Sequence, residues 1–344
     1  MKNKKTYSNI LICYGTRPEV IKLASLINLL KKRKINFKTV FTGQHSDLYN
    51  DVKSLIPKPN YELKIMKKNQ SLNDILINIS NDFVKILKKE KPDLVIVQGD
   101  TTTVLTCALN AFYTGVDIGH VEAGLRSYNL LSPYPEEGNR QVVSRISTYN
   151  WAPTKIAVEN LKKENISNIF LTGNTIVDAC KMHMYPIKYN NKILITLHRR
   201  ENFGEKIIKL FNELNIAAQK YDNIEFIFPM HPNPNIQKHK LLLKNIKIIN
   251  PLEYSELLKL LSEVKFVISD SGGIQEECAS FKKKILVCRD NTERPEGVEA
   301  GFAKIIGTNI LDNFNWANKS YKWNGNNPYG QGDAAKKIIK SLGF

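Results

Sequence analysis

KPDLVIVQGDTTTVLTCALNAFYTGVDIGHVEAG, residues 91–124, reads as strand, helix and strand. LVIVQ is a short apolar run between Lys-Pro-Asp and Gly-Asp, as expected of a strand buried on both faces. TTTVLTCALNAFY carries apolar residues at helical spacing and closes at Gly115. VDIGHV is a second apolar run. Strands joined by helices run parallel, so this stretch predicts an α/β sheet covered by helices.

The same alternation extends in both directions. Upstream, NILICYG is a buried strand, 18–33 a helix with Pro18 near its first turn, and FKTVFTG a strand. Downstream, PEEGNRQVVSRIS is a helix with Pro135 at its start, and IFLTGNT a strand. The pattern then restarts. KILITLHR, IEFIFPMH, IKIINP, KFVISDSG and KILVCRD are five further strand candidates with helices between them. The change falls at MHMYPIKYNNK, 182–192, which reads as a hinge between two doubly wound domains, 1–181 and 182–327. A cleft between two such domains is a natural ligand site, because parallel strands deliver their carboxyl ends to it.

Composition narrows the classes. A chain of 344 residues, 42% hydrophobic, suits two domains with sizeable cores. No apolar run is long enough to span a bilayer, and MKNKKTYSNILICYG lacks the long apolar region and cleavage site of a signal peptide. A cytoplasmic protein without membrane insertion is expected. The five cysteines lie far apart with no CxxC pair, which suits reduced thiols. The formal charge of +17 is mostly scattered lysine. Without a basic helix interleaved with aromatics, it predicts a solvated surface rather than nucleic-acid binding.

No GxGxxG follows a strand, which argues against NAD, and no GxxxxGK[ST] loop or HExxH helix occurs. No cofactor and no metal are expected. SDSGGIQEE, 269–277, is the clearest positive signal. There Ser271, Gly272 and Gly273 open a helix after a strand, where bare N–H groups attract phosphate. Glu277, one turn on, suits ribose hydroxyls; the plainer alternative is a serine-capped helix. Arg17 and Lys22 follow the first strand, and His198, Arg199 and Arg200 the first strand of the second half. A diphosphate suits such a field. Asp100 and Glu122 end successive strands, and Glu136 and Glu137 open a helix that also carries Arg140, a further candidate for holding substrate. Carboxylates converging on one sheet edge suit general acid and base work. Asp100 could instead cap the next helix, and one of Glu136 and Glu137 could answer the helix dipole.

GTRPEVIK, TGQH, GDTTT, HVEAGLRS, SPYPEEGNR, TGNT, HRREN, HPNP, SDSGGIQEE and RPEGVEAG follow one another in this order. The set resembles the non-hydrolysing UDP-N-acetylglucosamine 2-epimerases across essentially the whole chain. The resemblance implies a GT-B-like fold of two Rossmann-like domains, with the final segment, 328–344, packing back on the first. It implies a UDP-sugar substrate, interconversion of UDP-GlcNAc and UDP-ManNAc, a role in polysaccharide or capsule synthesis, and a homodimer. It assigns Asp100, Glu122 and Glu136 as catalytic acids, His198 as the active-site histidine, and Arg17, Ser271, Gly272 and Glu277 to UDP. Gln44, His45, Arg199 and His231 match part of an activator site, from which Asp47 and Asn69 depart. A hydrolysing relative, a 2-epimerase of a modified acetamido sugar, and a non-catalytic UDP-sugar sensor are the competing readings.

Overall fold

A computed structural model of the chain describes residues 6–44, 52–66, 70–230 and 233–344. The chain divides into two compact units, Met1–Met182 with Gly330–Phe344, and His183–Tyr329.

The first unit is built on a parallel sheet of β1 (Ile10–Tyr14), β2 (Phe37–Phe41), β3 (Tyr61–Glu62), β4 (Leu94–Gln98), β5 (Asp117–Val121), β6 (Tyr149–Ala152) and β7 (Ile169–Leu171). Their order is β3-β2-β1-β4-β5-β6-β7. Every side chain of β1 and β4 is buried, which explains why both read as unbroken apolar runs. Leu11, Cys13, Val95 and Val97 pack with Ile75, Ile79 and Phe83 of helix Leu72–Glu90 and Cys107 of helix Thr102–Tyr113. Strand alternation turns Ile10, Ile12, Leu94 and Ile96 to the opposite face.

The chain's last helix, Ala334–Ser341, belongs to this unit and packs on helices Arg17–Lys32 and Thr175–Met182. Its own N-cap residue, Asp333, makes no side-chain cap. Asp178 caps it instead, its carboxylate accepting the N–H groups of Ala334 and Ala335 at 3.1 Å each. At the other end, the buried Trp151 of β6 donates its indole N–H to Ser341 Oγ at 2.8 Å. Trp151 lies over Gly119 of β5, where a Cβ would come within 2.4 Å of the ring.

The second unit repeats the plan with β8 (Lys192–Thr196), β9 (Glu225–Pro229), β10 (Lys247–Ile249), β11 (Phe266–Ser269), β12 (Ile285–Val287) and β13 (Ala303–Ile305). All pairings are parallel, in the order β10-β9-β8-β11-β12-β13. In each sheet the direction of winding reverses once, between β1 and β4 and between β8 and β11. Open α/β sheets bind ligands beyond such reversals. β3, β6 and β13 were not among the strands expected from sequence. Among the described residues no helix is long and apolar enough to cross a membrane.

Asp178→Ala removes both acceptors from the final helix. It is expected to destabilise the first unit by about 1–2 kcal/mol, the scale of a lost helix cap, read as a lower denaturant midpoint in urea unfolding.

Candidate active site

In the first unit the charged residues of 119–140 divide by partner. Glu122, immediately after β5, is buried and has φ +68°, a left-handed backbone uncommon outside glycine. Such a conformation costs about 1–3 kcal/mol and persists only where neighbours dictate it. Here Lys22 Nζ reaches both Glu122 oxygens, at 2.7 and 2.6 Å, and Gln98 at the end of β4 also donates to Oε2. Asp100, after β4, keeps a partly exposed carboxylate. Its Oδ2 accepts from Arg140 Nε at 3.1 Å and Nη2 at 2.6 Å.

Helix Glu136–Ile146 carries that arginine. Arg140 is buried and also reaches Glu137 Oε2 at 3.2 Å. Glu137 is fully buried and accepts the N–H groups of Ser127 at 2.9 Å and Tyr128 at 3.2 Å. It therefore fixes the loop that leads into the helix. Glu136, one residue earlier, projects about 100° further round the helix and is half-buried. Arg126 is spent on structure too, in a bidentate pair with Glu164 at 2.6 and 2.8 Å.

His120 of β5 supports Asp100 from beneath. Its Nε2 lies 2.8 Å from the Gly99 carbonyl, and its Nδ1 lies 3.4 Å from Ser144 Oγ. A carbonyl only accepts, so Nε2 carries the proton and Nδ1 accepts from the serine. Burial pushes the ring's pKa down to about 4, which keeps it neutral. His120 thus holds the residue that precedes Asp100.

In the second unit, His198 and Arg199 follow β8, and Ser271 follows β11. Between them lies Asp270, fully buried. Its carboxylate accepts the N–H of His198 at 3.0 and 3.1 Å, the N–H of Arg199 at 2.9 Å and the Asn202 amide at 3.0 Å. His198 Nδ1 stands 3.6 Å from Asp270 Oδ1. Helix Gly272–Ser280 starts at the glycines, and the Ser271 side chain does not cap it. The first-turn N–H groups of such a helix have no intrahelical acceptor and favour an anion. Glu277 is buried one turn in.

Beneath Gly272 lies the Arg294 guanidinium, 2.5 Å from where a Cβ would stand, so a side chain there would have to displace it. Arg294 Nε is paired with Glu276 at 2.7 Å and its Nη1 with Glu293. Glu293 is paired in turn with Arg289 at 2.9 Å, and Arg289 with Glu201 at 2.6 Å. This chain of ion pairs ties the glycine turn to the exits of β8 and β12. Gln44 of the first unit accepts from Thr103 N at 3.1 Å and Oγ at 2.8 Å. His45, Asp47, Asn69 and His231 lie outside the described residues.

A family model of UDP-N-acetylglucosamine 2-epimerase matches residues 28–343. The chain belongs to the UDP-N-acetylglucosamine 2-epimerase family. It is 43% identical to the UDP-N-acetylglucosamine 2-epimerase of Campylobacter jejuni over 97% of each chain. The crystal structure of the UDP-GlcNAc 2-epimerase of Neisseria meningitidis bound to UDP-GlcNAc is similar at TM-score 0.90 and 40% identity, covering 97% of this chain and 99% of that one. That of Methanocaldococcus jannaschii, in complex with UDP-GlcNAc and UDP, is similar at TM-score 0.85 and 35% identity, with the same coverage. The fold is GT-B-like, as the resemblance implied.

For this 2-epimerase family member, the structure adds residues that sequence reasoning passed over. Asp270 stood in SDSGG as a strand end, yet it organises the loop after β8. Glu19 stood in GTRPE at capping-box spacing from Thr16, but its reach across the sheet had no local signature. His120 lay hidden in an apolar strand. Arg294 lay in a quoted motif without an assigned role.

The Lys22–Glu122 pair is buried, so removing one partner strands the other. Lys22→Met and Glu122→Gln are each expected to destabilise by about 3–5 kcal/mol. The double variant should recover much of that loss in a urea double-mutant cycle, while both single variants lose turnover.

Proposed function

We propose that this chain interconverts UDP-GlcNAc and UDP-ManNAc, inverting C2 of the sugar without consuming the nucleotide. The observation that carries this reading is the pair of carboxylates at adjoining strand exits, Asp100 and Glu122, each held by a buried cation, Arg140 and Lys22. C2–H of the sugar has no adjacent carbonyl and is barely acidic. Departure of UDP from C1 develops positive charge beside C2 and makes that hydrogen removable. The C1–O bond breaks toward the diphosphate, a base takes the C2 proton, and a C1=C2 double bond forms, giving 2-acetamidoglucal and UDP. An acid then delivers a proton to the other face of C2, and a UDP oxygen re-forms the bond to C1.

That route needs carboxylates on both faces of the ring and cations on the diphosphate. Asp100, Glu122 and Glu136 are proposed for the first. Arg17, His198 and the Ser271–Gly272–Gly273 turn are proposed for the second, with Glu277 on the ribose. Arg140 is read as holding Asp100 rather than meeting substrate directly. The resemblance adds a cytoplasmic homodimer supplying surface-polysaccharide synthesis to this reading.

Incubation with UDP-GlcNAc, followed by proton NMR, separates the alternatives. UDP-ManNAc with its nucleotide attached is expected; free ManNAc with UDP would establish the hydrolysing reaction. No turnover with UDP binding intact would favour a sensor. Asp100→Asn, Glu122→Gln and Glu136→Gln are each expected to lower kcat at least ~100-fold, the lower end of general acid–base contributions. Near-normal kcat in all three would remove the carboxylates from the mechanism.

A further inference from the structure

One buried carboxyl in the first unit is not used by this chemistry. Glu19, on helix Arg17–Lys32, is 2% exposed. Its Oε2 accepts the N–H groups of Gly15 at 2.5 Å and Thr16 at 3.1 Å. Its Oε1 accepts the Thr101 hydroxyl at 2.5 Å. Gly15 and Thr16 form the turn after β1 that delivers Arg17, while Thr101 directly follows Asp100 and caps helix Thr102–Tyr113. A single side chain therefore connects the turn bearing the diphosphate arginine to the turn bearing a catalytic carboxylate. The first turn has little freedom to drift. A Cβ on Gly15 would lie 2.2 Å from Thr42 Oγ and 2.3 Å from Thr103 Oγ.

We infer that Glu19 is a positioning residue: ionised, it clamps the turns after β1 and β4 together and so sets Arg17 and Asp100, and on protonation it loosens that clamp. The inference rests on the roles proposed above for those two residues. Three donors suit a carboxylate that only accepts. A protonated carboxyl must itself donate, and of its three partners only Thr101 Oγ can accept. Protonation therefore reverses the one bond that reaches the Asp100 turn and leaves the bonds to Gly15 and Thr16 in place. Burial pushes the Glu19 pKa up to about 7, against the pull of its three donors, and the charge of Asp100 raises it further. Burial pushes the Cys13 thiol of β1 well up, and Cys107 and, least, the charge of Glu19 add to it.

The sign follows. As pH rises through about 7, Glu19 ionises and the clamp closes, so kcat/KM for UDP-GlcNAc should rise with it. Glu19→Gln keeps the shape but cannot ionise, so its profile should lack that step and stay at the wild-type low-pH level. Thr101→Val removes the one bond by which ionised Glu19 reaches the Asp100 turn, so its profile should likewise lack the step. This second variant serves if Glu19→Gln does not fold. Asp100→Asn is measured alongside. If Asp100→Asn retains turnover, the catalytic reading of Asp100 fails and takes the inference with it. If Asp100→Asn is inactive while Glu19→Gln or Thr101→Val keeps the step, the Glu19 inference alone is overturned.

Discussion

At the exits of β1 and β8, consecutive backbone N–H groups turn to a side chain instead of the sheet ladder, those of Gly15 and Thr16 and those of His198 and Arg199. In a buried site those donors must still be satisfied. At the central reversal of each sheet the solution is one buried carboxylate. Glu19 takes the donors of Gly15 and Thr16 in the first unit, and Asp270 takes those of His198 and Arg199 in the second. Each also reaches across to the neighbouring central strand, through Thr101 or through its own place after β11. Arg17, Asp100, His198 and Ser271, four of the residues proposed to meet substrate, adjoin turns fixed in this way.

Burying charge has a cost, and the chain meets it by pairing. Lys22 with Glu122, Arg140 with Asp100 and Glu137, and the run from Glu201 through Arg289, Glu293 and Arg294 to Glu276 leave few bare ions near either reversal. Arginine does most of this work because its planar fork can hold two carboxylates at once. The scattered lysines behave differently. Several near the amino ends of the second sheet lie over aromatic rings, as Lys283 does over Tyr189 at 3.9 Å and Lys284 over Trp316 at 4.3 Å. There burial pushes the Lys283 ammonium down to about 8. The large positive charge is thus partly absorbed into packing.

The long buried strands and their helices were legible because period and composition agree there. β1 and β4 are apolar but for Gln98 at the end of β4, and Gly115 (φ +71°) ends its helix as glycine should. β3, β6 and β13 were not legible. β3 is two residues long and β13 three, too short for any period, while β6, TyrAsnTrpAla, buries a polar Asn150 in mid-strand. At the site, sequence located the carboxylates but not their division of labour. Glu136 and Glu137 are adjacent and chemically alike; only the direction of each around the helix shows that Glu137 is consumed by the Ser127 and Tyr128 N–H groups. Arg140, read from sequence as a candidate for holding substrate, holds Asp100 and Glu137, and Arg126, Arg289 and Arg294 likewise hold carboxylates of the chain itself. Pairings across a hundred residues, such as Lys22 with Glu122, leave no trace in local pattern.

In the mechanism proposed, carboxylates of the first unit remove and return the hydrogen at C2 while UDP is off the sugar. Turnover of UDP-GlcNAc in D2O, with proton NMR of the UDP-ManNAc formed, tests this most directly. A carboxylate that exchanges its proton with solvent between the two half-reactions places deuterium at C2 of the product. UDP-ManNAc that retains its original C2 hydrogen would contradict the claim.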